Sequence, residues 1–176
     1  QETLRKRHFD TKLYLAQLTR NGLAEELSQR SLDLSTNAAN FEAAGDAIAT
    51  TLLGLAQRLT AEGVHFSRPG WQEICDFHDR VLANAQLALR VMMTQHPDDA
   101  RALVAEKDSI RALEQELQRA HLGRLREGLT ESIETSNIHQ ETLRALKQVN
   151  TGFTMAAYPI LTETGDLLSS RISSRA

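Results

Sequence analysis

Two carboxylates lie four residues apart in the stretch NFEAAGDAIA, residues 40–49: Glu42 and Asp46, with Gly45 just before the second. On a helix, residues at i and i+4 face the same way, with ~5–6 Å between their Cβ atoms. The pair therefore offers two hard oxygen donors together, the chemistry that holds Mg²⁺, Ca²⁺, Mn²⁺ or iron. Gly45 lets a second helix or a ligand approach the backbone, at about 1 kcal/mol of helix propensity relative to alanine. The same spacing suits an acidic pair on a solvated face beside a tightly packed seam. On spacing alone both readings stay open.

Other chemistry-bearing residues are less well placed. Cys75 and His78 stand at i and i+3 and could share a helix face. A zinc site needs about four ligands, and no second Cys or His pair lies at a matching spacing. Cys75 then reads as a small, buried or half-buried side chain. His121 and His139 read as packing or hydrogen-bonding histidines, and His8, His65 and His96 fall near breaks or at a helix margin. None stands with a serine and an acid in a nucleophile motif. There is no Walker loop, dinucleotide fingerprint or metalloprotease helix motif. A carboxylate-bridged di-iron bundle needs Glu-x-x-His on each of two helices, and the chain offers no such pair. Catalysis is not expected.

The elements that must position these residues are helices. Ala, Leu, Glu, Gln and Arg dominate, and apolar residues recur at three and four. Leu4, His8, Thr11, Leu15 and Leu18 make a modest first stripe, and Asn21-Gly22 reads as a C-cap and turn. Leu23, Leu27, Leu34, Ala38, Phe41, Gly45, Ile48, Leu52, Leu55 and Leu59 make the best stripe, a helix of nearly forty residues or ~55–60 Å. The stretch 61–70, with two glycines and a proline, is the main connector. Trp71, Ile74, His78, Val81, Ala85, Ala88 and Met92 line a third helix. Asp98 or Asp99 can cap a fourth, carrying Leu103, Ile110, Leu113, Leu117 and Leu125. Gly128 breaks it, and Thr130 can cap a fifth with Ile138, Leu146, Val149, Phe153 and Ala157. Pro159 kinks or ends that helix, and residues 171–176 read as a frayed tail. The expected fold is an all-α antiparallel bundle of about five long helices, one domain over 1–170.

Bulk numbers agree with this. The chain has 176 residues, a net charge of −3 and a pI near 6.1. There is no basic stripe with interleaved aromatics, so no nucleic-acid partner is expected. No apolar run approaches the ~20 residues of a membrane span. One cysteine excludes an internal disulfide and suits a reducing compartment. Arg5-Lys6-Arg7 reads as a solvated face or, if a membrane helix ends upstream, a juxtamembrane basic segment.

The order of several runs is familiar. "LYLAQL…NFEAAGDAIATTLLGLA" resembles a helix of PhoU-like domains, in which E-x-x-x-D with a glycine before the Asp contributes to a metal cluster. "HLGRL", "TSNIH" and "RALKQVN…AAYPIL" are similar to the end of the PhoU-like domain that follows the membrane part of bacterial sodium/phosphate cotransporter-family proteins. The resemblance covers roughly residues 10–162. It implies two pseudo-repeats of three helices: 1–60 the remainder of the first, 61–70 the connector, 71–170 the second. The first helix would lie upstream of Gln1, as in a fragment that opens already helical. It also implies a metal role for Glu42 and Asp46, with a divalent or iron cation as cofactor.

Aligning residues 40–49 with 145–154 tests the repeat. Phe41 meets Leu146 and Ile48 meets Phe153, so the core pattern survives; Glu42 meets Lys147 and Asp46 meets Thr151, so both acids are gone. At most one acidic half-site is expected. The resemblance implies a regulatory or accessory domain on the cytoplasmic side of the bacterial inner membrane. Its partners would be the membrane transporter portion of the same chain and phosphate-signalling proteins, and homodimers are a further possibility. The alternative, from another class, is a ligand-free structural or dimerising helical bundle.

Overall fold

A computed structural model describes residues 1–20 and 25–166. The Asn21-Gly22 turn, the Leu23 position and the tail beyond residue 166 lie outside the described residues. The described residues form helices and no strands. The helices are α1 (Glu2–Arg20), α2 (Glu25–Asp46), a π-helical stretch (Ala47–Leu52), α3 (Leu53–Glu62), α4 (Arg68–Thr94), α5 (Pro97–Arg126), α6 (Thr130–Glu134), α7 (Ser136–Thr154), a 3₁₀ turn (Met155–Ala157) and α8 (Tyr158–Glu163). Because the stretch 25–62 is continuous, the described residues form five long helical rods, as the periodicity predicts.

Local chemistry sets the breaks. Gly63 ends α3 at φ 65°, the left-handed region where a side chain is strained. Ser67 starts α4 by accepting the Gly70 N–H, and Pro69 sits in the first turn, where its missing N–H costs nothing. The connector is thus shorter than 61–70, since helix reaches in from both sides. Two expected caps are absent. His96 occupies the cap position of α5 without a side-chain bond, while Asp98 and Asp99 pair with Arg101 and Arg90. Thr130 is the first residue of α6, and Leu129 precedes it without a cap bond. The acids in the first turn of α5 and Arg124 and Arg126 in its last still match the helix dipole. Pro159 does interrupt the last rod: the backbone tightens to 3₁₀ before it, and α8 restarts with the proline in its first turn.

Cross-helix bonds give the directions. Gln1 and Arg5 reach Asp46, and His8 meets Glu42, so α1 and α2 are antiparallel. Lys107 meets Tyr158 and Lys147 meets Glu114, so α5 and α7 are antiparallel. Asn84 donates to Asn150, and Glu73 lies against His139, so α4 and α7 run parallel. Helices α4, α5 and α7 therefore form an up-down-up unit, and the α1/α2 hairpin docks across α7.

The core lies where α2 and α4 meet α7. Phe77, Leu143 and Ala88 are fully buried, and Ile74, Val81, Leu146 and Val149 join them. This differs from the expected α4 stripe by about one residue. Phe77 and Val91 are buried, while Trp71 is 55% exposed and His78 lies outside. The helix packs on two partners, so its buried arc is set by both and includes the polar Asn84. On the second rod Leu34 and Ile48 are exposed, and Ala44 and Ala47 take the buried places. Small residues win there because α2 crosses α7 closely. A Cβ on Gly152 would stand 2.8 Å from the Asn40 carbonyl oxygen and 3.2 Å from Ala44 Cβ. Phe41 and Phe153 meet beside this crossing, ring centroids 5.1 Å apart and planes tilted by 37°.

Candidate functional sites

The acidic pair lies together, half-buried, as its spacing requires, and α1 covers it. Arg5 Nη2 donates to Asp46 Oδ2 at 2.9 Å and its Nε lies 3.9 Å from Glu42 Oε1. His8 Nδ1 contacts Glu42 Oε2. Gln1 Nε2 donates to Asp46 Oδ1 at 3.0 Å and to Thr50 Oγ1 at 3.2 Å. The hydrogen bonds from Arg5 and then Gln1 hold the Asp46 carboxyl below the usual carboxylate range, and those with Asp46 raise the Arg5 guanidinium. Gly45 lets Leu4 of α1 lie where a Cβ would stand, so the glycine admits a helix here. Among the described residues no group of three His, Cys, Asp or Glu side chains is arranged to hold a metal ion. The pair's oxygens already face a guanidinium and an imidazole, and the donor set does not by itself close a coordination sphere.

A second cluster was not legible as such in the sequence. It sits where the start of α4, the end of α5 and the start of α7 converge. Arg124 grips Glu73 with both ends of its fork, Nη1 to Oε1 at 2.5 Å and Nη2 to Oε2 at 2.8 Å. His139 Nε2 approaches Glu73 Oε2 at 3.4 Å, without hydrogen-bond geometry. His121 stacks on His139, ring centroids 4.7 Å apart and planes 9° from parallel. His121 Nε2 bonds Ser136 Oγ at 2.9 Å, and Ser67 Oγ bonds Ser132 Oγ at 2.9 Å. Gly70 leaves room for this. A Cβ there would stand 3.5 Å from His139 Cδ2 and 3.6 Å from Arg124 Nη2.

Burial and charge tune the cluster. Burial, followed by the charges of His139 and Arg124, lowers the His121 imidazole pKa. Burial raises the Glu73 carboxyl, and the contacts from His139 and Arg124 outweigh it, so the net shift is down. His121 Nδ1 is buried without a partner among the described residues, so there the Ser136–His121 pair lacks the orienting acid of a nucleophilic triad. The arrangement ties three helix ends together through charge. The two histidines carried a signal in their sequence runs; Glu73 and Arg124 carried none that spacing could join across fifty residues.

Cys75 and His78 do not meet a further ligand. His78 Nδ1 bonds Asp79 at 3.0 Å, and Cys75 is half-buried. Both line an apolar groove of 470 Å³ between α3 and α4, floored by Leu146 of α7. A continuation of 240 Å³ runs past Ile48, Leu82 and Val149. Ile48, Leu82 and Trp71, each about half exposed, stand on this face.

Comparison with known proteins adds a direction. The chain is 35% identical over 150 residues to "Putative inorganic phosphate export protein YjbB" of Salmonella typhimurium, covering 85% of this chain and 28% of the relative. It is 32% identical, with the same coverage, to the proteins of that name in Escherichia coli O157:H7 and Escherichia coli K12. The chain thus spans little more than a quarter of the curated relatives it matches. No family profile matches it. No solved structure matches it. Those relatives are named for phosphate export. No helix among the described residues is long and apolar enough to cross a membrane.

Proposed function

We propose that this chain is a regulatory or accessory helical domain of a phosphate-transporting membrane protein, PhoU-like in organisation and held on the cytoplasmic side. The observation that carries this is the match of 85% of the chain to about a quarter of relatives named for phosphate export. The described residues are all-helical, with no helix long and apolar enough to cross a membrane, which suits a part appended to a transport portion. The domain acts by contact. Its apolar groove between α3 and α4, edged by Ile48, Leu82 and Trp71, is the surface that would meet the transport portion. Helix-in-groove docking needs such a channel and no chemistry.

The test is phosphate efflux in cells, with the chain expressed within its full reading frame. Ile48→Glu with Leu82→Glu charges the groove rim at two exposed positions. The expected result is a several-fold change in efflux with unchanged protein level. Unchanged efflux both in that variant and on deletion of the whole domain would overturn the reading.

A second reading, a dimerising bundle without ligand, is favoured by Phe9 and Leu13, one turn apart on α1 and 65% and 51% exposed. Sedimentation equilibrium separates the two. A concentration-dependent dimer abolished by Phe9→Ser with Leu13→Ser supports pairing through α1, and a monomer at all concentrations removes it.

A further inference from the structure

The outer face of α5 and α7 encloses a polar groove of 510 Å³. Four cationic side chains line it, Lys107, Arg111, Arg144 and Lys147, against two acids, Asp108 and Glu114. The acids do not cancel the cations where it matters. Glu114 is buried and already neutralised, its Oε2 taking Lys147 Nζ at 2.6 Å and its Oε1 facing Gln118 Nε2 at 3.4 Å. Asp108 is on the exposed rim. Lys107 bonds the Tyr158 hydroxyl at 3.2 Å and overlies that ring. Arg111 and Arg144 have no carboxylate partner among the described residues; Arg144 reaches only Gln140, at 3.4 Å. The groove therefore carries two unspent guanidinium forks and an excess of about two positive charges.

The register of the two helices brings donors to one level. Lys107 pairs with Tyr158 and Glu114 with Lys147, so Arg111, between them on α5, stands opposite Asn150 and Thr151. Asn150 is 1% exposed, and it also lines the groove. Its Oδ1 accepts from Asn84 at 2.9 Å, while its Nδ2 is buried with no acceptor among the described residues. Native proteins rarely leave such a donor unpaired, because an unmade buried hydrogen bond costs about 1–3 kcal/mol. A charged groove with an orphan donor in its wall calls for a ligand made of acceptors. A tetrahedral oxyanion is that ligand: it accepts on every oxygen, and guanidinium forks match its edges.

We propose that this groove binds free inorganic phosphate, with Arg111 and Arg144 gripping the anion and Asn150 Nδ2 as the buried donor. The choice of phosphate among oxyanions rests on the phosphate-transport reading; the groove's charge and its orphan donor do not. A domain carrying such a site would report phosphate to whatever its apolar groove contacts on α3 and α4.

The experiment is a titration of the ¹⁵N-labelled chain with sodium phosphate, chloride adjusted to hold ionic strength constant. The Asn150 side-chain amide and the Thr151 and Gly152 backbone amides are the reporters. The expected result is a saturable shift at these groups, weakened at least tenfold in Arg111→Gln with Arg144→Gln. Arg119→Gln, on the same helix but outside the groove, should bind as wild type. Circular dichroism confirms that each variant is folded; the substituted arginines are exposed. A linear shift, or one equal in wild type and the double variant, overturns the site. So does binding seen only to phosphatidic acid in phosphatidylcholine vesicles and not to the free ion. Efflux that still depends on the domain while phosphate fails to bind removes this inference and leaves the transport reading standing.

Discussion

Lys147 Nζ lies 2.6 Å from Glu114 Oε2, and on α7 it holds the position that Glu42 holds on α2 when the two halves are aligned. Glu42 faces Arg5 and His8 of α1, while Lys147 faces Glu114 of α5. Each of the two aligned positions thus carries a charge paired to a neighbouring helix, with the signs exchanged. In that alignment the ammonium of Lys147 stands where the carboxylate of Glu42 does.

This exchange makes the two partners unequal to mutation. Glu114 is buried and Lys147 is partly exposed. Lys147→Met strands a buried carboxylate, which costs about 2–3 kcal/mol after allowing for partial solvent screening. Glu114→Gln leaves a lysine that can reach water, and costs under about 1 kcal/mol. Urea unfolding midpoints of the two variants check the order.

The Glu73–Arg124–His139–His121 cluster predicts loss of stability in acid. The folded His121 pKa is lowered, so between that value and ~6.5 the unfolded chain binds more protons. Stability therefore falls as pH drops below ~6.5. The folded Glu73 pKa is also lowered, so its contribution is present above the ordinary carboxylate value of ~4.3 and is lost as pH falls through the folded one. Urea midpoints at pH 7.5, 6 and 5 should fall in sequence. His121→Gln should flatten both steps, because the Glu73 contribution is lost only below ~4.3.

Glycine positions give a matched pair. Gly152→Ala pushes a methyl against the Asn40 carbonyl at the crossing of α2 and α7, at a cost of about 1–3 kcal/mol. Gly54→Ala meets nothing within 4 Å inside a helix and should stabilise by about 0.5–1 kcal/mol. Thermal melts should move in opposite directions.

Arg5 sets the state of the acidic pair. It bridges Glu42 and Asp46 as a fixed cation, so it competes with any added one. Arg5→Gln should raise Mn²⁺ affinity, and adding Glu42→Gln with Asp46→Asn should abolish the gain. Elemental analysis before and after chelation on all three chains reads this out. Stoichiometric metal that persists in the Glu42/Asp46 variant would remove the pair from consideration as ligands.

The rods were legible because period and breakers agree. Leu55, Val81, Ile110 and Leu146 each fall in the helically spaced stripe of their own rod and are buried, and Gly63, Gly128 and Pro159 mark the ends. Which arc of α4 is buried was not legible, because it is decided by two partners at once, α5 and α7. A stripe drawn from Trp71 therefore missed Phe77. The acidic pair was visible through its local spacing; its masking by Arg5 and His8 depends on α1 lying antiparallel, a long-range fact. The histidine runs were visible, but the Glu73–Arg124 fork joins residues 51 apart and no periodicity encodes that.

The π-helical stretch Ala47–Leu52 follows directly on Asp46. A π turn holds more residues than an α turn, and such segments inside α-helices are compact local bulges. Removing one residue elsewhere along the rod would rotate everything beyond it by ~100° and turn Leu55 out of the core. Removing one within 47–52 would let the turn relax to ordinary α geometry and leave the later residues facing as before. Length changes inherited by this rod over evolutionary time therefore have one place where they are cheap, immediately beside the acidic pair.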